Sequence, residues 1–193
     1  MRLVYLCALL WIATVPPAAG EGITILLDFQ GPHSDPSIAE MKREFADVMK
    51  DTAVPFDFRL LSEAAHQSFS DLVVFRFKGK CVLEPAPFLY DERGPMAFTY
   101  STGGVVQPFG EVECAKLTSV VRSAMSGGDF AHADLLFGRA LGRVLAHEVV
   151  HMLSKSGAHG HAGIASRALS GSQLISPGLR LALQDVERLH THK

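Results

Sequence analysis

The chain has 193 residues, 48% of them hydrophobic and 20% charged, with a formal net charge of −2. A near-neutral chain without a polybasic run offers nothing to hold nucleic acid or an anionic membrane surface. Its length and apolar content fit one compact domain with one core.

Residues 1–20 read MRLVYLCALLWIATVPPAAG. Arg2 supplies a positive start, Leu3 to Val15 an apolar run, and Ala18-Ala19-Gly20 small residues for cleavage. This pattern predicts a secretory signal peptide, leaving residues 21–193 as a single exported domain, secreted or periplasmic. The apolar run is short for a membrane span, and no later segment offers a longer one. Beyond the leader two cysteines remain, Cys81 and Cys114. In an exported chain such a pair predicts a disulfide. Thiolate ligation of a metal is disfavoured, because neither cysteine has a second cysteine or histidine at close ligand spacing.

Ile23 to Phe29 (ITILLDF) predicts a buried strand. Asp35-Pro36 marks a helix start, with Ser37 and Glu40 as an alternative capping box. Ile38, Met41, Phe45, Val48 and Met49 give that helix its apolar face. Strands are expected at Phe56 to Leu61 and at Asp71 to Lys78 (DLVVFRFK). The order strand, helix, strand, strand suits a mixed twisted sheet with a right-handed crossover. Lys80 to Pro95 reads as a surface loop. Met96 to Tyr100 and Val105 to Phe109 flank Ser101-Thr102-Gly103-Gly104, which predicts a hairpin. Pro108 would make its strand an edge. A short helix is expected over Ala115 to Met125, and the fold class is α+β.

The next helix, starting near His132 or Ala133, carries the chemistry. Leu136, Ala140, Val144, His147 and His151 recur at helical spacing, and Leu141 and Leu145 widen the stripe. Gly138 and Gly142 cost this helix about 1 kcal/mol each. Glycines four apart would let another backbone approach closely. Within the helix, residues 147–151 read HEVVH. Histidines four apart share one helix face, which suits two ligands of one tetrahedral zinc. Glu148 is one step round from His147, within reach of a water at that metal, where a general base is needed. The plainer alternative is a pair of histidines on an amphipathic helix, bonded to polar neighbours.

With HEVVH in the HExxH pattern, the chain resembles the zincin metallopeptidases. The resemblance implies His147 and His151 as zinc ligands and Glu148 as base. No Asp or Glu occurs from Val149 to Gln184, and the first carboxylates after the motif are Asp185 and Glu187. A third ligand from a following acidic residue is therefore disfavoured. The metzincin pattern HExxHxxGxxH is met in altered form. Ser154 stands at its glycine and Gly157 at its third histidine, yet Gly157-Ala158-His159-Gly160-His161 supplies the same parts further along. Gly157 is expected to stop the helix. His159 is then the expected third ligand, returning by a tighter loop than the alternative, His161. No methionine follows Met152, so the methionine turn of metzincins is missing, and Ile164 or Leu169 would floor the site. A helix is expected from Leu179 to about His190, with His190 and His192 solvated.

The reading is a zincin-like, exported, zinc-dependent metallopeptidase that binds one Zn²⁺ and cuts peptide or protein substrates, as an endopeptidase rather than an exopeptidase. The edge strand of the hairpin would pair with an extended substrate. The alternative is an exported zinc-binding or interaction module without catalysis.

Overall fold

The computed structural model describes residues 22–84 and 94–191. The expected leader and most of the expected loop over 80–95 lie outside them. The expected α+β class is found. Strand β1 (Ile23–Phe29) leads into helix α1 (Asp35–Met49), strands β2 (Phe56–Leu60) and β3 (Asp71–Lys78), and the hairpin of β4 (Ala97–Thr102) and β5 (Val105–Glu113). Helices α2 (Cys114–Ala124), α3 (Ala133–Ser154), α4 (Gly171–Ile175) and α5 (Leu183–Thr191) follow. The five strands form one mixed sheet in the order β2-β1-β3-β5-β4. The pairs β1–β2, β1–β3 and β3–β5 are parallel, and β4–β5 is antiparallel.

Alternation along β3 explains its two faces. Val73, Phe75 and Phe77 enter the core, while Arg76 and Lys78 turn away from it. On that other face Arg76 and Lys78 meet Glu111, and Arg76 also meets Asp28 at 3.2 Å. Helix α1 covers the core face, and Phe45 packs edge-on against Phe56 and Phe58 of β2. The Cys81–Cys114 disulfide, with its Cα atoms 5.0 Å apart, ties the end of β3 to the start of α2.

Helix α3 is central: fifteen of its 22 residues are buried, so it is covered round most of its circumference. It lies closely along α1, and the paired glycines are the reason. A Cβ on Gly142 would stand 2.6 Å from the Met41 carbonyl oxygen, and one on Gly138 would strike Ser37. At this seam the fully buried Arg143 donates through Nε to Glu44 of α1 at 2.7 Å. Its Nη1 donates to the carbonyls of Gln173 and Ser176, at 2.5 and 2.6 Å. One guanidinium thus links α3, α1 and the end of α4, with its buried charge paired and each of its nitrogens engaged.

Several expectations change. Ser34, not a Ser37–Glu40 box, caps α1, its hydroxyl accepting from the Ser37 amide. Pro108 does not make β5 an edge. β5 joins β3 only from Phe109 onward, and Pro108 falls in the irregular register between Thr99 and Ser101, where no ladder bond to β3 is required. The edge is β4. Gly103 and Gly104 turn the hairpin, both at positive φ. Leu179 to Ala182 is not helical; α5 begins at Leu183, and α4 occupies part of the expected loop. His190 is exposed, as expected, but its Nε2 lies 3.1 Å from the Thr52 carbonyl oxygen. Among the described residues no helix is long and apolar enough to cross a membrane.

Candidate metal centre

The last two turns of α3 present His147 and His151 on one face, with their Nε2 atoms 3.1 Å apart. Two nitrogens on one tetrahedral zinc would stand about 3.3 Å apart, from zinc–nitrogen bonds of about 2.0–2.1 Å. Each ring is oriented by a backbone carbonyl through its other nitrogen. His147 Nδ1 donates to the Ile164 carbonyl at 2.7 Å, and His151 Nδ1 donates to the Ser156 carbonyl at 2.7 Å. A carbonyl only accepts, so each Nδ1 keeps its proton, and in the neutral ring each Nε2 offers a lone pair. Two lone pairs facing each other at this distance repel unless a cation lies between them.

His159 completes the cluster. Its ring centroid is 5.3 Å from that of His147 and 4.7 Å from that of His151. One ligand atom from each of the three lies within 4.8 Å of the others, so the three histidines could hold a metal ion. Burial pushes the pKa of His147 down, and the neighbouring His151 adds to this, while its bond to Ile164 opposes it. His159 is also lowered, by burial first, then by His151, His147 and Arg167. Lowered values favour neutral imidazole, the form that binds metal. His161 is exposed and stands outside the cluster.

Gly157 does not end the helix. Lys155 does, at φ 49°, and its amide reaches back to the Met152 carbonyl at 3.3 Å. The Ser156 amide then donates to the His151 carbonyl at 3.2 Å. Ser156 therefore closes the helix with its N–H and locks the His151 ring with its C=O. The stop comes early because it serves this ring. The chain returns through a bond from the Gly160 amide to the Ala165 carbonyl at 2.8 Å. Ile164, one of the two residues expected to floor the site, is buried, and its backbone carbonyl accepts from His147. Leu169 lines the adjoining cavity.

Glu148 is buried, and one of its oxygens accepts from Thr99 Oγ1 at 2.5 Å. Burial raises its pKa, against the Thr99 bond and the nearby His151. Thr99 lies on the edge strand β4, so the carboxylate sits between the histidines and that edge. Sequence reasoning missed Thr99, which is 49 residues away and carried no signal beyond its place in a hairpin. It also missed the carbonyls of Ile164 and Ser156, which depend on path and not on side-chain identity. Arg143 did carry a signal: it is a charge one turn before His147 in an apolar helix.

Two cavities meet at this point. One, of 230 Å³, runs from His147 and Glu148 past Val144 and Met96 to Leu169. The other, of 310 Å³, takes in Thr99, His151 and His159. Such a donor set, three imidazoles and a buried carboxylate beside open space, fits a borderline divalent cation. Comparison of the chain with known family models and with curated proteins yields no match.

Proposed function

We propose that the protein is an exported, zinc-dependent metallopeptidase of the zincin kind. The supporting observation is the juxtaposition of three histidines, whose ligand atoms lie within 4.8 Å of one another, with a buried carboxylate held by the edge strand. His147, His151 and His159 would hold the zinc. When bound, zinc supplies Lewis acidity, polarising a scissile carbonyl and acidifying a water.

The chain's own residues do the rest. Thr99 binds one oxygen of Glu148 and leaves the other free. Glu148 takes the proton of the attacking water and delivers it to the departing amine. Burial raises its pKa, which favours its holding the proton between the two transfers. Among the described residues no strand covers the outer side of β4, which would offer backbone groups to an extended peptide, as in strand addition.

The test is Glu148→Gln, which keeps shape and removes the basic carboxylate. The variant should keep its zinc and fold and lose turnover of a quenched peptide library by about 10²-fold or more. Unchanged hydrolysis with zinc in place would refute the role of Glu148. A zinc-loaded wild type that cuts nothing in the library would favour the non-catalytic zinc-binding module.

A further inference from the structure

Arg167 stands apart from the other arginines. Among the described residues each of the others has a carboxylate or a carbonyl as partner. Arg167 has no hydrogen bond or ion pair there, and its side chain is exposed. An unpaired surface arginine is ordinarily just solvated. Its place argues otherwise. Arg167 borders both cavities, at the point where they meet beside His147 and Glu148. Among the described residues Glu148 is the one carboxylate lining either cavity, and Thr99 already binds it.

The smaller cavity is lined chiefly by apolar groups, among them Val144, Met96, Ala97 and Leu169. Its 230 Å³ is below the range of pockets that take drug-sized ligands, so it has room for a single side chain. A divalent cation on the histidines together with Arg167 outweighs the single negative charge of Glu148. The described lining of the cleft therefore favours anions, and a planar guanidinium suits a carboxylate in particular.

We propose that Arg167 selects peptides that carry a carboxylate beside an apolar residue. This rests on the peptidase reading and names its substrate class. The apolar side chain fills the smaller cavity and the carboxylate pairs with Arg167. That carboxylate is either the C-terminus of the peptide or an Asp or Glu side chain.

Binding, separated from turnover, tests this. Zinc-loaded Glu148→Gln protein, with and without Arg167→Ala, is titrated by fluorescence anisotropy against labelled peptides containing one leucine. One pair of peptides has leucine at the end, as free acid or as amide. The other pair is amidated, with internal Leu-Glu or Leu-Gln. At low salt at least one acidic peptide should bind about three- to tenfold tighter than its neutral twin. Arg167→Ala should remove the difference with zinc content and thermal midpoint unchanged, and Arg167→Glu should turn the preference toward a Leu-Lys peptide. A gain in the first pair assigns the chain terminus, and a gain in the second the side chain; either supports the proposal. Equal discrimination with and without Arg167, or no discrimination by the protein that retains it, overturns it. The peptidase reading fails separately. Discrimination that depends on Arg167, with no cleavage of these peptides by wild type, would leave a peptide-binding module. Cleavage without discrimination would leave the peptidase and remove the role of Arg167.

Discussion

Gly142→Ala sets two magnitudes of opposite sign against each other. In an exposed helix the change stabilises by about 1 kcal/mol, because alanine is the better helix former. Here the new Cβ would lie 2.6 Å from the Met41 carbonyl oxygen, 3.0 Å from the Phe45 amide nitrogen and 3.0 Å from Glu44 Cβ. Heavy atoms attract best at about 3.5–4.0 Å, so α1 and α3 must part by several tenths of an ångström. Two of the three obstacles are backbone and cannot rotate away. Met41 and Phe45, on the same stretch of α1, are fully buried and resist the shift. The third obstacle carries the carboxylate that pairs with Arg143, so movement there also strains a buried ion pair. Overpacking costs about 1–3 kcal/mol; with two backbone obstacles the upper part of that range applies, about 2–3 kcal/mol, and the net loss after the propensity gain should be about 1–2 kcal/mol. For a domain of this size that lowers the thermal midpoint by about 2–8 °C. Differential scanning calorimetry of the metal-free protein measures it without interference from zinc binding. A variant that melts higher than wild type would refute the close approach as the reason for this glycine.

Reduction of the Cys81–Cys114 bridge, which spans 33 residues, should cost about 3–4 kcal/mol in the chain-entropy model, read by denaturant unfolding with and without reductant. A change below 1 kcal/mol would count against it. Zinc stoichiometry should fall for His159→Ala and hold for His161→Ala; the reverse pattern would exclude His159 as a ligand. Asp47 makes contacts of 2.6 Å to Arg180 and 3.1 Å to Lys50. Burial alone would raise its pKa, but these two partners outweigh it and the value falls. The stability it contributes is thus present above the unfolded value of about 3.9 and is lost as pH drops through the lower folded value. The gap in thermal midpoint between metal-free wild type and Asp47→Asn should therefore be constant near neutrality and close below about pH 4. A gap that persists at pH 2 would refute this.

The sequence made local features legible and left non-local ones dark. β1 and β3 match their expected bounds residue for residue, since a short apolar run or an alternating one is a property of the strand itself. Whether β5 is an edge or a centre depends on which strand lies alongside, and Pro108 carries no information about the pairing with β3 that begins at Phe109. The pair His147 and His151 follows from helical spacing alone. The close approach at Gly138 and Gly142 was also readable, from the cost of two glycines in an otherwise strong helix, though the partner helix was not. Glu44 reaches Arg143 across 99 residues, and Thr99 reaches Glu148 across 49, at separations no local pattern spans. The helix stop was misplaced by two residues because glycine is the usual occupant of a left-handed cap. At Lys155 the tertiary demand of the His151 ring overrides that preference, at a backbone cost of about 1–2 kcal/mol.

The candidate ligand rings depend on this non-local part of the structure. His147 leans on the Ile164 carbonyl, and the Ile164 amide in turn donates to the Arg180 carbonyl at 2.9 Å. Arg180 is itself fastened to Asp47 on α1 by its side chain. Glu44, one turn earlier on α1, holds Arg143, one turn before His147 on α3. Helix α1 therefore supports His147 from both sides, through the helix that carries the ring and through the loop that orients it. A histidine anchored this way keeps its Nε2 aimed without a metal, which would lower the ordering cost of binding one. α1 contributes no ligand, yet the preorganisation of the site begins there.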